Sequence, residues 1–264
     1  MSQQASPSTD ERPGLGGLVI GGWRLAAAVL AFSVAGWALL TWLAVDMGNP
    51  LFEWTMPDSS SWNAANMVSI LLMWAVMMAA MMLPSALPMI LAFGHLSARN
   101  GELARARVFV AAYLLVWIAF SIAATLLQWA LQALDWVDPM IVSTSATLNG
   151  ALLVIAGVYQ FTPLKKMCLA NCRTPFAFLL GEWQPGVAGA FRMGLRHGLF
   201  CMGCCWAVMA LLFVGGVMNL AWIAALSIVV AIEKMAPRGE QLAAVLGIAL
   251  IVAGAAKLVT LLAA

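Results

Sequence analysis

Residues 25–45 contain no charged side chain, and the pattern returns at 64–93, 108–131, 140–161 and 198–232. A last apolar run, 241–262, is broken only by Lys257. About 20 apolar residues in a helix, at roughly 1.5 Å each, cross a bilayer's hydrocarbon core. Runs of this length leave an all-α fold: backbone groups in lipid must find their partners within the span. The chain is 64% hydrophobic and 9% charged, far from a soluble globular composition.

The runs predict a polytopic transmembrane helix bundle of about seven spans, with residues 23–264 as one membrane domain. The 198–232 run is too long for one crossing, and Gly215, Gly216 and Asn219 near its middle suggest a hairpin of two short helices. If that hairpin is re-entrant, six spans remain. Pro84 and Pro88 are expected to break the second span. Residues 1–22 are polar, with Pro7, Pro13 and several glycines, and read as a disordered cytoplasmic tail without the features of a secretory signal.

Charges orient the bundle. Asp46, Glu53 and Asp58 follow the first span without a cation, whereas Arg99, Arg105 and Arg107 follow the second. Asp135 and Asp138 follow the third; Lys165, Lys166, Arg173, Arg192 and Arg196 follow the fourth. Basic loops remain in the cytoplasm, so the N-terminus is expected inside and, with seven spans, the C-terminus in the periplasm. Trp42, Trp54, Trp62, Trp129, Trp136 and Trp222 fall near the outer boundaries, as an aromatic belt would.

Chemistry-bearing residues gather at the cytoplasmic side. On a helix, His197, Cys201, Cys204 and Cys205 share an arc of about 100°. The basic loop before them adds Cys168 and Cys172. Cytosolic thiols stay reduced, which favours metal binding over disulfides. Met77 and Met81 belong to a methionine stripe with Met73, Met78 and Met82 at similar depth. Thiolates and thioethers are soft donors suited to Cu(I); zinc is the alternative, since four thiols can close a tetrahedron. A lone cysteine or a methionine stripe is more often packing, but two spaced cysteine clusters favour ligation. Glu233 is an ionisable group at membrane depth and a candidate site residue. Lys234 is expected to snorkel to the headgroups, and Gln160 and Thr162 to act as interhelical glue.

No phosphate-binding loop, catalytic carboxylate pair or serine–histidine–acid pattern is present, so no catalytic residue is assigned. The short basic loops are explained by topology and give nucleic-acid binding no support. The outer half offers few ligands beyond Met209 and Met218, which favours binding or delivery, with a metal donor or acceptor protein as partner, over pumping. Rival readings are membrane thiol–disulfide exchange and an accessory subunit whose cysteines only pack.

Three segments resemble a bacterial family of predicted metal-binding integral membrane proteins, a domain of unknown function. The first runs Trp74-Ala75-Val76-Met77-Met78-Ala79-Ala80-Met81-Met82-Leu83-Pro84-Ser85. The second runs Tyr159-Gln160-Phe161-Thr162-Pro163-Leu164-Lys165 and continues to Cys168, Cys172 and Arg173. The third spans residues 198–206, with Cys201, Gly203, Cys204 and Cys205, and extends through Val217, Met218 and Asn219 to Glu233-Lys234. The resemblance covers residues 66–237 and implies a protein of the bacterial inner membrane.

Overall fold

A computed structural model of the protein describes residues 15–46, 48–56, 62–99, 103–138 and 141–262. The described residues form helices α1 (Leu15–Val45), α2 (Pro50–Thr55), α3 (Ala64–Arg99), α4 (Leu103–Ala133), α5 (Ala146–Tyr159) and α6 (Pro163–Arg173). They continue with α7 (Pro175–Glu182), α8 (Gly186–Ala210), α9 (Leu212–Gly215), α10 (Leu220–Met235) and α11 (Gly239–Leu262). Among them there is no strand, and the fold is an all-α helical bundle.

Five helical segments are long and apolar enough to cross a membrane: 22–45, 64–98, 104–133, 186–215 and 239–261. The α5–α6 pair, bent by 65°, would make a sixth. Several boundaries differ from expectation. Residues 15–22, read as tail, are the opening turns of α1; residues 1–14 lie outside the described residues. The segment holding Cys168 and Cys172 is the helix α6, not a loop, capped by the Thr162 hydroxyl with Pro163 in its first turn. The hairpin turn does fall at Gly216–Asn219, where Asn219 caps α10, but its first arm starts at Gly186 and is long.

Pro84 and Pro88 do not break α3, which runs through both. Flanking helices hold it on either side, and neighbouring packing lets a span tolerate the lost donors. Against α1, a Cβ built on Gly36 would lie 2.8 Å from the Ala80 methyl, so close approach depends on small residues.

Two other helix pairs use the same device. Gly150 and Gly254, with Gly157 and Gly247, bring the α5 and α11 backbones together. A Cβ built on Gly198 of α8 would lie 2.8 Å from Val116 of α4, and Gly194 rests on the Phe109 carbonyl. This Gly-x-x-x-Gly face draws α8 against α4 one turn before Cys201. Along α4, Tyr113, Trp117, Ser121, Thr125, Gln128 and Gln132 recur every three or four residues and are all buried. Polar side chains within an apolar span turn inward; Gln128, for example, accepts from the Trp74 indole N–H at 2.8 Å.

Candidate metal centre

The α8 helix carries His197, Cys201, Cys204 and Cys205, all buried as their shared arc requires. All five cysteines are free thiols. On α6 the i, i+4 spacing of Cys168 and Cys172 points both across to α8. Cys172 is half-buried against the core, and Cys168 packs on Gly203, where a Cβ would meet its Sγ at 2.7 Å. Two anchors seat α6. Lys165 Nζ reaches Glu233 Oε2 at 2.6 Å, and Arg173 donates to the Ala236 and Pro237 carbonyls at 2.6 and 2.7 Å.

From α3, Met82 Sδ stands 4.0 Å from Cys205 Sγ. Thioether and thiol therefore meet at one depth. The methionine that does so is Met82, whereas Met81 lines a groove beside α10 and Met77 is buried in the core. Tyr113 of α4 completes one wall: its hydroxyl lies 3.1 Å from Cys201 Sγ and 3.3 Å from the Met82 carbonyl. His197 sits among the rings of Phe109, Tyr113 and Phe178, with centroids 5.7–5.9 Å away. Its Nδ1 is buried without a hydrogen-bond partner.

Lys234 departs most from expectation. It does not snorkel; its exposure is 6% and its ammonium is turned inward. Nζ lies 3.0 Å from Cys201 Sγ, 3.2 Å from Ser85 Oγ and 3.8 Å from Met82 Sδ. Glu233, its neighbour, faces the other way and is held by Lys165 and by Gln160 Nε2 at 3.2 Å. Tyr113, Ser85 and Lys165 are not among the candidate site residues of the sequence. The buried polar stripe on α4 is the signal that points to Tyr113.

Among the described residues, no three His, Cys, Asp or Glu side chains are arranged to hold a metal ion outright. The reason is local. Cys204 and Cys205 both donate to the Cys201 carbonyl, at 3.1 and 3.0 Å, and so lie along their own helix. Such bonds are weak and the thiols can turn by changing rotamer. Chemically, the centre offers several thiols, one thioether and one unpartnered imidazole nitrogen in a buried space.

A family model of copper chaperones, PpoB2, matches residues 71–257, more than two thirds of the chain. The chain belongs to the PpoB2 copper chaperone family. No curated protein and no solved structure matches it. The PpoB2 match takes in α4, α6, α8 and α10 and all of α3 from residue 71 onward, and leaves α1 and α2 outside. PpoB2 membership makes copper handling the functional class and agrees with the soft-donor character of the residues.

Proposed function

We propose that this chain is a membrane copper chaperone that holds Cu(I) as cargo at a thiol–thioether centre in the cytoplasmic half of the bilayer. One observation carries the reading: Met82 Sδ of α3 lies 4.0 Å from Cys205 Sγ of α8, and Cys201 and Cys204 are buried on the same face of α8. Thiols and a thioether gathered at one depth are the soft donors that suit Cu(I). Cys201, Cys204 and Cys205 are the primary ligands. Cys172 and Cys168, on the α6 helix nearer the basic end, capture or pass on the ion, and His197 and Met82 are auxiliary donors. Met77 and Met81 extend the soft lining along α3. Glu233 supports the site from outside by anchoring α6 through Lys165.

The sidedness rests on the basic segments. Lys165 and Arg105 are buried, yet Arg107 lies in the opening turns of α4, Lys166 and Arg173 on α6, and Arg192 and Arg196 on α8 before the thiols. The positive-inside rule holds such basic segments in the cytoplasm. The lipid bilayer is then the surrounding partner and a soluble or membrane protein the recipient of copper. Copper binding displaces thiol protons, so affinity rises with pH.

The test is Cu(I) competition against a chromophoric chelator with reduced, purified protein. One ion per chain is expected, and Cys201→Ser should weaken binding by roughly a hundredfold, the upper end of effects seen even for groups around a metal's ligands. Unchanged affinity in Cys201→Ser and Cys204→Ser would remove the thiol centre as the copper site.

A further inference from the structure

Lys234 is a buried cation without a carboxylate. Its exposure is 6%, and among the described residues no Asp or Glu lies within salt-bridge range of it, because Glu233 is committed to Lys165. Burying an ammonium is costly unless an anion or good acceptors surround it. Its three N–H groups face Cys201 Sγ at 3.0 Å, Ser85 Oγ at 3.2 Å and Met82 Sδ at 3.8 Å. Ser85 is itself held in place, since its hydroxyl donates to the Met82 carbonyl at 2.9 Å. Thiol and thioether sulfurs are weak acceptors. The ammonium is thus half of an ion pair, and the described carboxylates do not supply the other half.

Copper uptake by the thiols supplies it. Two thiols that take up Cu(I) release their two protons to solvent and form two metal–sulfur bonds, which leaves a unit of net charge minus one. Met82 is a thioether and adds no charge. An N–H group that donates to a metal-bound thiolate makes a charge-assisted hydrogen bond, stronger than one to a neutral thiol. With the Lys234 ammonium in place, the occupied two-thiolate centre is neutral overall. Without it, the same centre is an uncompensated anion in a buried space, where charges act on each other far more strongly than in water.

We infer that Lys234 is the built-in counter-cation of the copper centre: its ammonium stays on the Cys201 sulfur when copper binds and neutralises the metal–thiolate unit. This rests on the copper reading above. The split between Glu233 and Lys234 serves the same end. A Glu233–Lys234 pair would cancel the ammonium's charge, whereas the Lys165–Glu233 pair at 2.6 Å keeps that charge available to the thiols. Lys234 is accordingly a positioning residue that acts through Cys201, not a ligand.

The experiment compares Lys234→Met and Lys234→Arg with wild type, as full-length reduced protein in detergent. Two quantities are read: Cu(I) affinity by chelator competition, and the melting temperature of the metal-free protein. Lys234→Met keeps a long flexible side chain and removes the charge. It should bind Cu(I) roughly ten- to a hundredfold more weakly, while the metal-free protein melts no lower, because an uncompensated buried charge has gone. Lys234→Arg, which keeps a cation, should bind within severalfold of wild type. A side chain that merely packs would move affinity and melting temperature the same way. Wild-type affinity in Lys234→Met, weaker binding together with a lower melting temperature of the metal-free protein, or equal losses in both variants overturns the inference and leaves the copper reading standing. Absence of Cu(I) binding in wild type overturns both.

Discussion

Glu233 and Lys234 are adjacent on α10 and both buried, yet each belongs to a different network: the carboxylate meets Lys165, the ammonium meets Cys201. A rotation of about 100° between neighbouring helix positions separates them. One dipeptide thereby ties α10 to α6 on one side and to the thiols of α8 on the other. The four predictions that follow probe these ties and the packing that supports them.

The Lys165–Glu233 pair is buried on both sides. Removing one partner strands a charge, so Glu233→Leu or Lys165→Met should each destabilise by about 3–5 kcal/mol. The double replacement Lys165→Met with Glu233→Leu should be markedly milder. Thermal melts of the four proteins in detergent form the cycle, and additive losses would show that the two groups act independently.

Tyr113→Phe keeps the ring and deletes the hydroxyl that spans Cys201 and the Met82 carbonyl. A stability loss of about 1 kcal/mol is expected. Because the hydroxyl meets Cys201, a proposed ligand, Cu(I) affinity should fall about tenfold. Chelator competition separates the two effects; an unchanged affinity would reduce Tyr113 to a packing residue.

Gly198→Leu places a side chain where the Val116 side chain and Tyr113 carbonyl already crowd a single added carbon. The α8 and α4 backbones must separate, at a cost of about 1–3 kcal/mol or more for overpacking. Cys201 then moves away from Tyr113. Lower yield of folded protein and weaker copper binding are expected together, whereas Gly181→Leu, at a position open to space, should be silent.

Gln128→Leu leaves the Trp74 indole N–H without its 2.8 Å acceptor in the interior. The orphaned donor should cost about 1–3 kcal/mol. Trp74→Phe should cost less in this background than in the wild type, because the orphaned donor goes with the indole while the packing loss is the same in both. A full additive loss in the double variant would mean that this hydrogen bond contributes nothing.

Much of the site is legible one-dimensionally. The arc shared by His197, Cys201, Cys204 and Cys205 follows from helical spacing alone, and all four are buried as that arc implies. The i, i+4 spacing of Cys168 and Cys172 also survives, although on a helix and not a loop. The choice among methionines does not. Met81 and Met82 differ by one position, yet only Met82 meets a thiol, while Met81 lines the groove. With methionine at 77, 78, 81 and 82, the stripe is broad enough to accept either rotation. Lys234 is the sharper case: a lysine at a span's end normally reaches for water, and only the sulfurs and hydroxyl that face it from α3 and α8 turn it inward.

The sequence by itself determined the class of fold, through uncharged runs of span length, and the kind of chemistry, through two cysteine clusters with helical spacing. Those properties are local and can be read from order along the chain. The tertiary structure alone decided the facing of each helix: which methionine meets the thiols, that Glu233 holds Lys165, and that Lys234 lies on Cys201. The physical reason is that a helix apolar all round carries little amphipathic signal to say which side is inward. Its rotation is set instead by close-packed glycines and by a few buried polar groups finding partners many residues away.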